Sequence, residues 1–79
     1  MRVSVFESDP GHGAFLEIKA RSNGRGPDVY LDGVLMSQAV TADDELGVVV
    51  RPKRDDDGAL LVRDHRLQYE TLRGQVEIL

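Results

Sequence analysis

The stretch Val29–Met36, VYLDGVLM, carries the dipeptide Asp32-Gly33 between two short apolar runs. An Asp-Gly pair between apolar segments is the strongest short-range signal for a β-hairpin, because the tight turn needs positive φ angles that these residue types tolerate. The same signal recurs at Asp57-Gly58, between the apolar runs Leu46–Arg51 and Ala59–Arg63. The sequence therefore predicts a small sheet protein built from hairpins.

The other apolar segments extend this prediction along the whole chain. Side chains that alternate with a period of two, or a short apolar run bounded by turn residues, indicate a strand. The predicted strands are Arg2–Phe6, Ala14–Arg21, Asp28–Leu31, Val34–Ser37, Leu46–Arg51, Ala59–Arg63, Leu67–Leu72 and Val76–Leu79. Leu46–Arg51 is expected to be the central strand, since a continuous apolar run implies burial on both faces. Pro52 is expected to end its pairing.

Segments rich in turn residues separate these strands. Ser8–Gly13 and Ser22–Pro27 are predicted to be loops. A helical turn is an alternative to strand or loop only near residues 41–46. There Thr41 suits an N-cap, and Asp43-Asp44-Glu45 suit the positive end of a helix. The predicted fold class is all-β and mainly antiparallel, in one domain over residues 1–79. We expect a small hairpin-built sheet, or a partly open barrel or sandwich, with at most one short helical turn near 41–46.

Length and composition restrict how such a chain is reinforced and what it binds. It has 79 residues and no Cys, so a thin core has neither disulfides nor the main ligand of structural zinc. Self-association is the remaining reinforcement. The net charge of −4 disfavours attraction to nucleic acid and leaves protein partners open. Glu7 and Asp9 interrupt the amino-terminal segment before a signal peptide or membrane helix could form, so we expect an intracellular product without a membrane partner.

Two acidic clusters, Asp43-Asp44-Glu45 and Asp55-Asp56-Asp57, are the first candidates for a metal site, because hard cations prefer carboxylate oxygens. Neither cluster has the alternating ligand spacing of a calcium loop, and Lys53 and Arg54 immediately precede the second. Acid–base catalysis by paired carboxylates needs a cleft and perturbed pKa values, which an exposed turn does not supply. We therefore predict two solvated turns and no metal site.

The histidines and glycine-rich loops are the other candidates for chemistry. His12 lies among glycines and His65 lies in a charged connection, so both are predicted to be surface imidazoles. Gly11-His12-Gly13 and Gly24-Arg25-Gly26 look like phosphate-binding loops, but such a loop must be followed by the start of a helix. Neither is followed by a predicted helix, and no nucleophile motif surrounds any serine. The sequence predicts no catalytic residue and no cofactor.

Charged residues of both signs form the predicted interaction surface. Blocks of alternating sign suit a complementary protein surface better than a uniform polyanion. The candidate residues are Asp43, Asp44, Glu45, Arg51, Lys53, Arg54, Asp55, Asp56 and Asp57. Sheet edges are a second candidate, since edge strands can pair across a symmetric interface and form a homo-oligomer.

The carboxy-terminal half carries a recognisable order of strand and turn motifs. In chain order these are Val29-Tyr30-Leu31-Asp32-Gly33-Val34, Thr41-Ala42-Asp43-Asp44, Gly47-Val48-Val49-Val50-Arg51, a charged hairpin, and Leu72-Arg73-Gly74-Gln75-Val76-Glu77-Ile78. Over residues 28–79 this order resembles small uncharacterised proteins of tailed bacteriophages and prophages. The resemblance implies a phage origin, and phage proteins of this size are typically structural accessories or inhibitors of host machinery.

These observations favour a non-enzymatic phage accessory protein that acts by protein–protein interaction, as a capsid decoration or minor structural protein. We expect it in the host cytoplasm during infection or incorporated in the virion. The alternative is an inhibitor of a host defence or regulatory protein, with the acidic clusters mimicking nucleic acid phosphates or capping a basic groove. Convergence of these carboxylates on one face would favour this alternative, and their separation to opposite ends would weaken it. An enzyme is the third class, and no recognisable triad, metal set or cofactor loop supports it.

Overall fold

Nine short strands and one helix make up the chain, and the computed structural model describes all of residues 1–79. The strands are β1 Arg2–Ser4, β2 Val29–Leu31, β3 Val34–Leu35, β4 Thr41–Asp43, β5 Val48–Pro52, β6 Val62–Arg63, β7 Arg66–Leu67, β8 Tyr69–Arg73 and β9 Val76–Ile78. The helix, α1, spans His12–Arg21 and lies between β1 and β2 in the chain.

The strands form three antiparallel sheets. The main sheet has the order β1-β4-β5-β8, the small sheet has the order β3-β2-β9, and β6 and β7 form a separate two-stranded ribbon. These sheets confirm the predicted all-β, mainly antiparallel class. They also confirm that the segment predicted over Leu46–Arg51 supplies the central strand, because β5 lies between β4 and β8, but Leu46 and Gly47 belong to the preceding turn and Leu46 is exposed. The apolar segment at the end of the chain is paired as well, with β9 beside β2.

The core lies between one face of the main sheet and one face of the small sheet. Across the main sheet, Val3, Ala42 and Val49 are direct neighbours in register, and Leu72 follows on β8. From the small sheet, β2 and β9 contribute the facing side chains of the same cluster. The buried members of the cluster are Val3, Val29, Leu31, Ala42, Val49 and Val76. Six residues make a thin core, as expected for a chain of this length.

The first Asp-Gly turn has the predicted hairpin geometry. Asp32 and Gly33 both have positive φ, at 50° and 83°, which is the signature of the type I′ turn that matches the twist of paired strands. The Asp32 carboxylate also accepts a hydrogen bond from the Gln75 N–H at 2.9 Å. The turn between β2 and β3 is therefore tied to the residue that precedes β9.

The second Asp-Gly turn forms where it was predicted, but the strand after it is shorter. Gly58 has φ 82° and its N–H donates to Asp55 O at 3.0 Å. Beyond the turn, Leu60 forms an isolated bridge with Arg54, and the N–H of Leu61 donates to Lys53 O. The prediction of one strand over Ala59–Arg63 is wrong, because β6 leaves this hairpin and pairs with β7 instead.

The predicted strand Ala14–Arg21 is wrong, because the segment belongs to α1. A period of two places Phe15 and Ile18 on opposite faces, whereas helical spacing places both on one side with Ala14. These three side chains pack against the core cluster. The other helix residues include Leu, Glu, Lys, Ala and Arg, which favour helix over strand. Burial of one helical face therefore decided between two patterns that the sequence satisfied equally.

No helical turn forms near residues 41–46, where the sequence allowed at most one. Thr41–Asp43 is strand β4, held between β1 and β5, and residues 44–47 form the turn that leads into β5. Pairing on both sides supplies β4 with two ladders of backbone hydrogen bonds, which a single helical turn could not replace. The one helix lies instead at His12–Arg21 and has ten residues.

The expectation that Pro52 ends the pairing of the central strand is also wrong. Pro52 lies in β5 opposite Tyr69, and the next N–H, from Lys53, donates to Gln68 O at 2.9 Å. Alternate residues of an antiparallel strand direct their N–H groups to the same neighbour. The missing N–H of Pro52 would therefore point toward β4. The pairing of β4 with β5 ends at Val50, so no residue of β4 lies opposite Pro52.

Candidate interaction surface

The two acidic clusters lie beyond opposite ends of β5. Asp43 pairs with Val48 at the start of β5, so Asp43–Glu45, the acidic turn, lies at that end. Lys53–Leu61, the charged hairpin, follows Pro52 at the other end. A five-residue strand such as β5 is about 16 Å long. The carboxylates of the two clusters do not converge on one face.

Asp43 has an internal structural role in the acidic turn. Its side chain accepts hydrogen bonds from the N–H groups of Leu46 at 3.0 Å and Glu45 at 2.9 Å, and from Arg2 at 3.4 Å. Only 7% of the residue is exposed. The N–H of Leu46, with further donation from Glu45 and Arg2, lowers the pKa of the Asp43 carboxyl. Asp44 is paired with the amino group of Met1, which also lies 3.8 Å from the carboxylate of Glu45, and Glu45 has the most exposed carboxylate of this turn.

Arg2 links the start of the main sheet to the loop before α1, a contact that the sequence did not indicate. Its guanidinium donates two hydrogen bonds of 2.9 Å to the two carboxylate oxygens of Asp9 and also contacts Asp43. The bidentate pair with Arg2, helped by the N–H of Gly11, lowers the pKa of the Asp9 carboxyl. Arg2 and Asp43 are 41 positions apart, so no local pattern could have paired them.

Internal hydrogen bonds also occupy much of the charged hairpin. The Asp55 side chain accepts from the N–H groups of Asp57 at 2.9 Å and Ala59 at 3.0 Å, which fixes the turn. Arg54 donates to Gly58 O at 2.6 Å and twice to the Gln38 side chain, at 2.6 and 3.1 Å. Arg54 thereby connects the hairpin to the segment between β3 and β4.

Arg51 contacts neighbours across a cleft of about 310 Å³. It donates to Glu70 at 3.1 Å on the adjacent strand β8 and lies 3.8 Å from the sulfur of Met36. Of the nine predicted interaction residues, four have exposed side chains that form no hydrogen bond. These are Glu45, Lys53, Asp56 and Asp57, and they are divided between the two ends of β5.

The histidines lie apart from one another and from the acidic residues of both clusters. The Nδ1 atom of His12 is 3.1 Å from Ser4 O, and its ring stacks on Phe15 with centroids 6.2 Å apart. His65 is exposed in the turn between β6 and β7. No group of three His, Asp or Glu side chains has an arrangement that could hold a metal ion.

Three chain segments meet at a closed ring of backbone hydrogen bonds next to the charged hairpin. The N–H of Lys53 donates to Gln68 O at 2.9 Å, that of Gln68 to Leu61 O at 3.0 Å, and that of Leu61 to Lys53 O at 2.9 Å. The N–H of Gln68 therefore points away from Lys53, although its carbonyl oxygen accepts from Lys53. Gln68 thereby separates β7 from β8. The junction explains why the predicted strand Leu67–Leu72 is interrupted at Gln68.

The edge of the main sheet at β8 is the surface that sequence reasoning did not locate. Gln68 O accepts from Lys53 N–H, and the N–H of Gly74 donates to Gly47 O at 3.0 Å, so even-numbered residues here face β5. The backbone groups of Tyr69, Thr71 and Arg73 consequently point away from β5. No strand lies on that side, and all three residues are exposed.

The β8 edge is the longest free edge in the structure. β8 has five residues, whereas the other edge strands β1, β3 and β9 have three, two and three. The edge of β1 is also partly occupied, because the Ser4 N–H donates to Gly11 O at 3.2 Å at the start of α1. All five residues of β8 pair with β5 without a bulge.

The only signal for this edge in the sequence was the alternation within Leu67–Leu72, which indicates a strand but not its place in a sheet. No helix in the structure has the length and apolar character needed to cross a membrane. Comparisons with protein-family models, curated proteins and solved structures found no match to this chain.

Proposed function

We propose that this chain is a non-enzymatic interaction module that binds other protein chains through the β8 edge of its main sheet. In the setting that the phage resemblance implies, it is an accessory component of a phage particle, as a capsid decoration or minor structural protein. The observation that carries the proposal is the free edge of Tyr69–Arg73, whose outward backbone groups have no strand beside them.

An unpaired edge is a template for a strand from another chain. Its N–H and C=O groups bond to water in the monomer and can bond to an incoming strand with regular geometry. Natural proteins protect edges with Pro, charged side chains such as Lys, bulges or short strands. β8 has no Pro, Lys or bulge, its two charged residues Glu70 and Arg73 have opposite signs, and it is the longest edge strand, which supports a role for this edge in binding.

Many of the charged residues form hydrogen bonds within the chain, so the β8 edge is a better candidate for a binding site than the charged surface. Asp43, Asp55 and Arg54 hold turns together, and Arg51 is bonded to Glu70. Convergence of the two acidic clusters would favour the alternative of an acidic inhibitor, and their position at opposite ends of β5 weakens it.

The proposal is tested by the composition of purified particles. Phage particles from the genome that encodes this chain are purified by density gradient, and the chain is quantified by mass spectrometry. We expect a fixed number of copies per particle. The Thr71→Pro variant removes one outward N–H without removing a hydrogen bond to β5, so it should be lost from the particles.

Thr71→Val is the matched control, because it keeps the N–H and a β-branched side chain. It should be retained in particles at the level of the unaltered chain. Thermal melts of both variants confirm that folding is intact. Absence of the unaltered chain from particles would refute the virion role, and equal retention of both variants would refute binding through the β8 edge.

A further inference from the structure

We infer that the β8 edge binds the β8 edge of a second copy of this chain, antiparallel and about a two-fold axis at Thr71, so that two main sheets join into one eight-stranded sheet. This inference rests on the proposed function, because it names the partner that binds the β8 edge. The direction of the backbone groups, the register that they allow and the side chains that this register brings together all favour a second copy as the partner.

The backbone permits only some registers. Two antiparallel strands bond through residues whose N–H and C=O groups both point into the interface. On β8 these are Tyr69, Thr71 and Arg73, because the even-numbered residues face β5. A two-fold axis at Thr71 places it opposite the partner's Thr71 and places Tyr69 opposite the partner's Arg73. All five residues of β8 are then paired, and all three outward residues exchange hydrogen bonds.

The neighbouring symmetric registers are worse. An axis at Glu70 places its carboxylate opposite the same carboxylate of the partner, and like charges directly opposite are destabilising. That register also pairs only three residues within β8, since Leu72 would lie opposite the partner's Gln68, before the start of the strand. An axis at Leu72 pairs only three residues within β8, since Glu70 would lie opposite the partner's Gly74, beyond the end of the strand.

The side chains are complementary in the register centred on Thr71. Two threonines opposite each other form a favourable cross-strand pair. Tyr69 and the partner's Arg73 lie on one face, where the guanidinium can pack on the phenol ring. Glu70 lies opposite the partner's Leu72 on the other face and keeps its ion pair with Arg51. No like charges meet.

Charge also favours this strip over the rest of the surface for self-association. The whole chain has a net charge of −4, so two copies repel each other in general. The strand Tyr69–Arg73 carries one acidic and one basic residue and has no net charge. This strand therefore adds no net charge of its own to the general repulsion between two acidic copies.

The first test is the mass of the full chain in solution, by size-exclusion chromatography with light scattering over a range of micromolar concentrations. We expect a species of about twice the 8.8 kDa monomer. Thr71→Pro removes an N–H from each side of the interface and should raise the dimer Kd by at least about tenfold. Thr71→Val should remain dimeric. A monomer at every concentration would overturn the inference.

The second test reads the register, and the absence of native Cys makes it direct. In the proposed register, Thr71→Cys places two Cα atoms about 5.5 Å apart, within disulfide reach. Tyr69→Cys alone places its two copies about 14 Å apart and should not cross-link. A mixture of Tyr69→Cys and Arg73→Cys should cross-link as a heterodimer. Equal cross-linking of all single variants would contradict the register.

The two proposals fail in different ways. If the chain is monomeric but Thr71→Pro is still lost from particles, the second-copy partner is wrong and another protein's strand occupies the edge. If the Thr71-centred dimer forms but the chain is absent from particles, the virion role is wrong and the self-pairing inference stands.

Discussion

Several aspartate side chains stabilise turns in this chain. Each of four accepts a hydrogen bond from a backbone N–H in or near a turn, as short polar side chains commonly do. They are Asp9, Asp32, Asp43 and Asp55. Much of the acidity that suggested a binding surface in the sequence therefore stabilises the chain's own turns.

Asp43 gives the first prediction at this scale. Hydrogen bonds donated by Leu46, Glu45 and Arg2 lower the pKa of Asp43 in the folded state. The contribution of Asp43 to stability is therefore fully present above the unfolded pKa of about 4. It is lost as the pH falls through the lower pKa of the folded state. Asp43→Asn should be less stable at pH 7 and should lose less stability between neutral and acidic pH. Urea unfolding at several pH values measures this.

Asp56→Asn is the control for Asp43→Asn, because the Asp56 side chain is exposed and forms no hydrogen bond. It should change the free energy of unfolding by no more than about 0.5 kcal/mol at pH 7. If Asp43→Asn loses as much stability on acidification as the unaltered chain, the carboxylate of Asp43 has no special role.

Gly47 gives the second residue-scale prediction. It has φ 67°, and a Cβ atom there would lie 2.6 Å from the carbonyl oxygen of Gly74. Gly33 has φ 83° with open space around it. Gly33→Ala should therefore cost only the left-handed backbone penalty, about 1–2 kcal/mol. Gly47→Ala should cost about 1–3 kcal/mol more, because backbone cannot move aside as a flexible side chain can.

Denaturant unfolding of the two alanine variants measures the difference. Equal destabilisation would mean that β5 and β8 can separate at this end without cost, and the close approach of Gly47 and Gly74 would then be unimportant for stability.

At the scale of the element, local turn chemistry decided the hairpins and tertiary burial decided the helix. The β6–β7 turn is the least suited to its geometry. Asp64 and His65 have φ angles of 50° and 61°, so both central residues are left-handed and neither is glycine. The type I′ geometry is preferred by Asn-Gly, and a non-glycine residue in this conformation is strained.

Replacement of Asp64-His65 by Asn-Gly should therefore stabilise the chain by about 1 kcal/mol. The readout is the free energy of unfolding in urea. Asp56→Gly is the matched control: its native φ is not positive, so glycine there only adds freedom to the unfolded chain and should destabilise slightly. A loss of stability in the Asn-Gly variant would show that the Asp64 or His65 side chain contributes more than the turn strain costs.

At the scale of the whole molecule, one thin core joins the main and small sheets. Val49 from the main sheet and Val76 from the small sheet belong to the same buried cluster, so neither sheet keeps a core without the other. We expect the two sheets to unfold in one cooperative transition. The chain has no Trp and two Tyr residues, Tyr30 in β2 and Tyr69 in β8, one in each sheet.

Single-tyrosine variants make this expectation measurable. Tyr69→Phe leaves fluorescence only from the small sheet, and Tyr30→Phe leaves it only from the main sheet. In each variant, the tyrosine signal and the far-ultraviolet circular dichroism should give the same urea midpoint, because a shared core unfolds as one unit. Separate midpoints within one variant would show that the sheets are independent.

Features that depend on residues adjacent in the chain could be predicted from the amino-acid sequence. Positive φ at Asp32-Gly33 and Gly58 follows from residue type, so both turns could be predicted. The valine run of β5 could be placed at the centre of a sheet because continuous apolar sequence needs burial on both faces.

Features that depend on contacts between distant residues could not be predicted, because they arise only when the whole chain folds. Phe15 and Ile18 suit a strand or a helix equally, and the core they reach selected the helix. The partners of Asp43 include Arg2, at the far end of the sequence, so its burial could not be foreseen. The free edge at β8 follows from strand order, which depends on how the whole chain pairs and is not encoded in the alternation of any one segment.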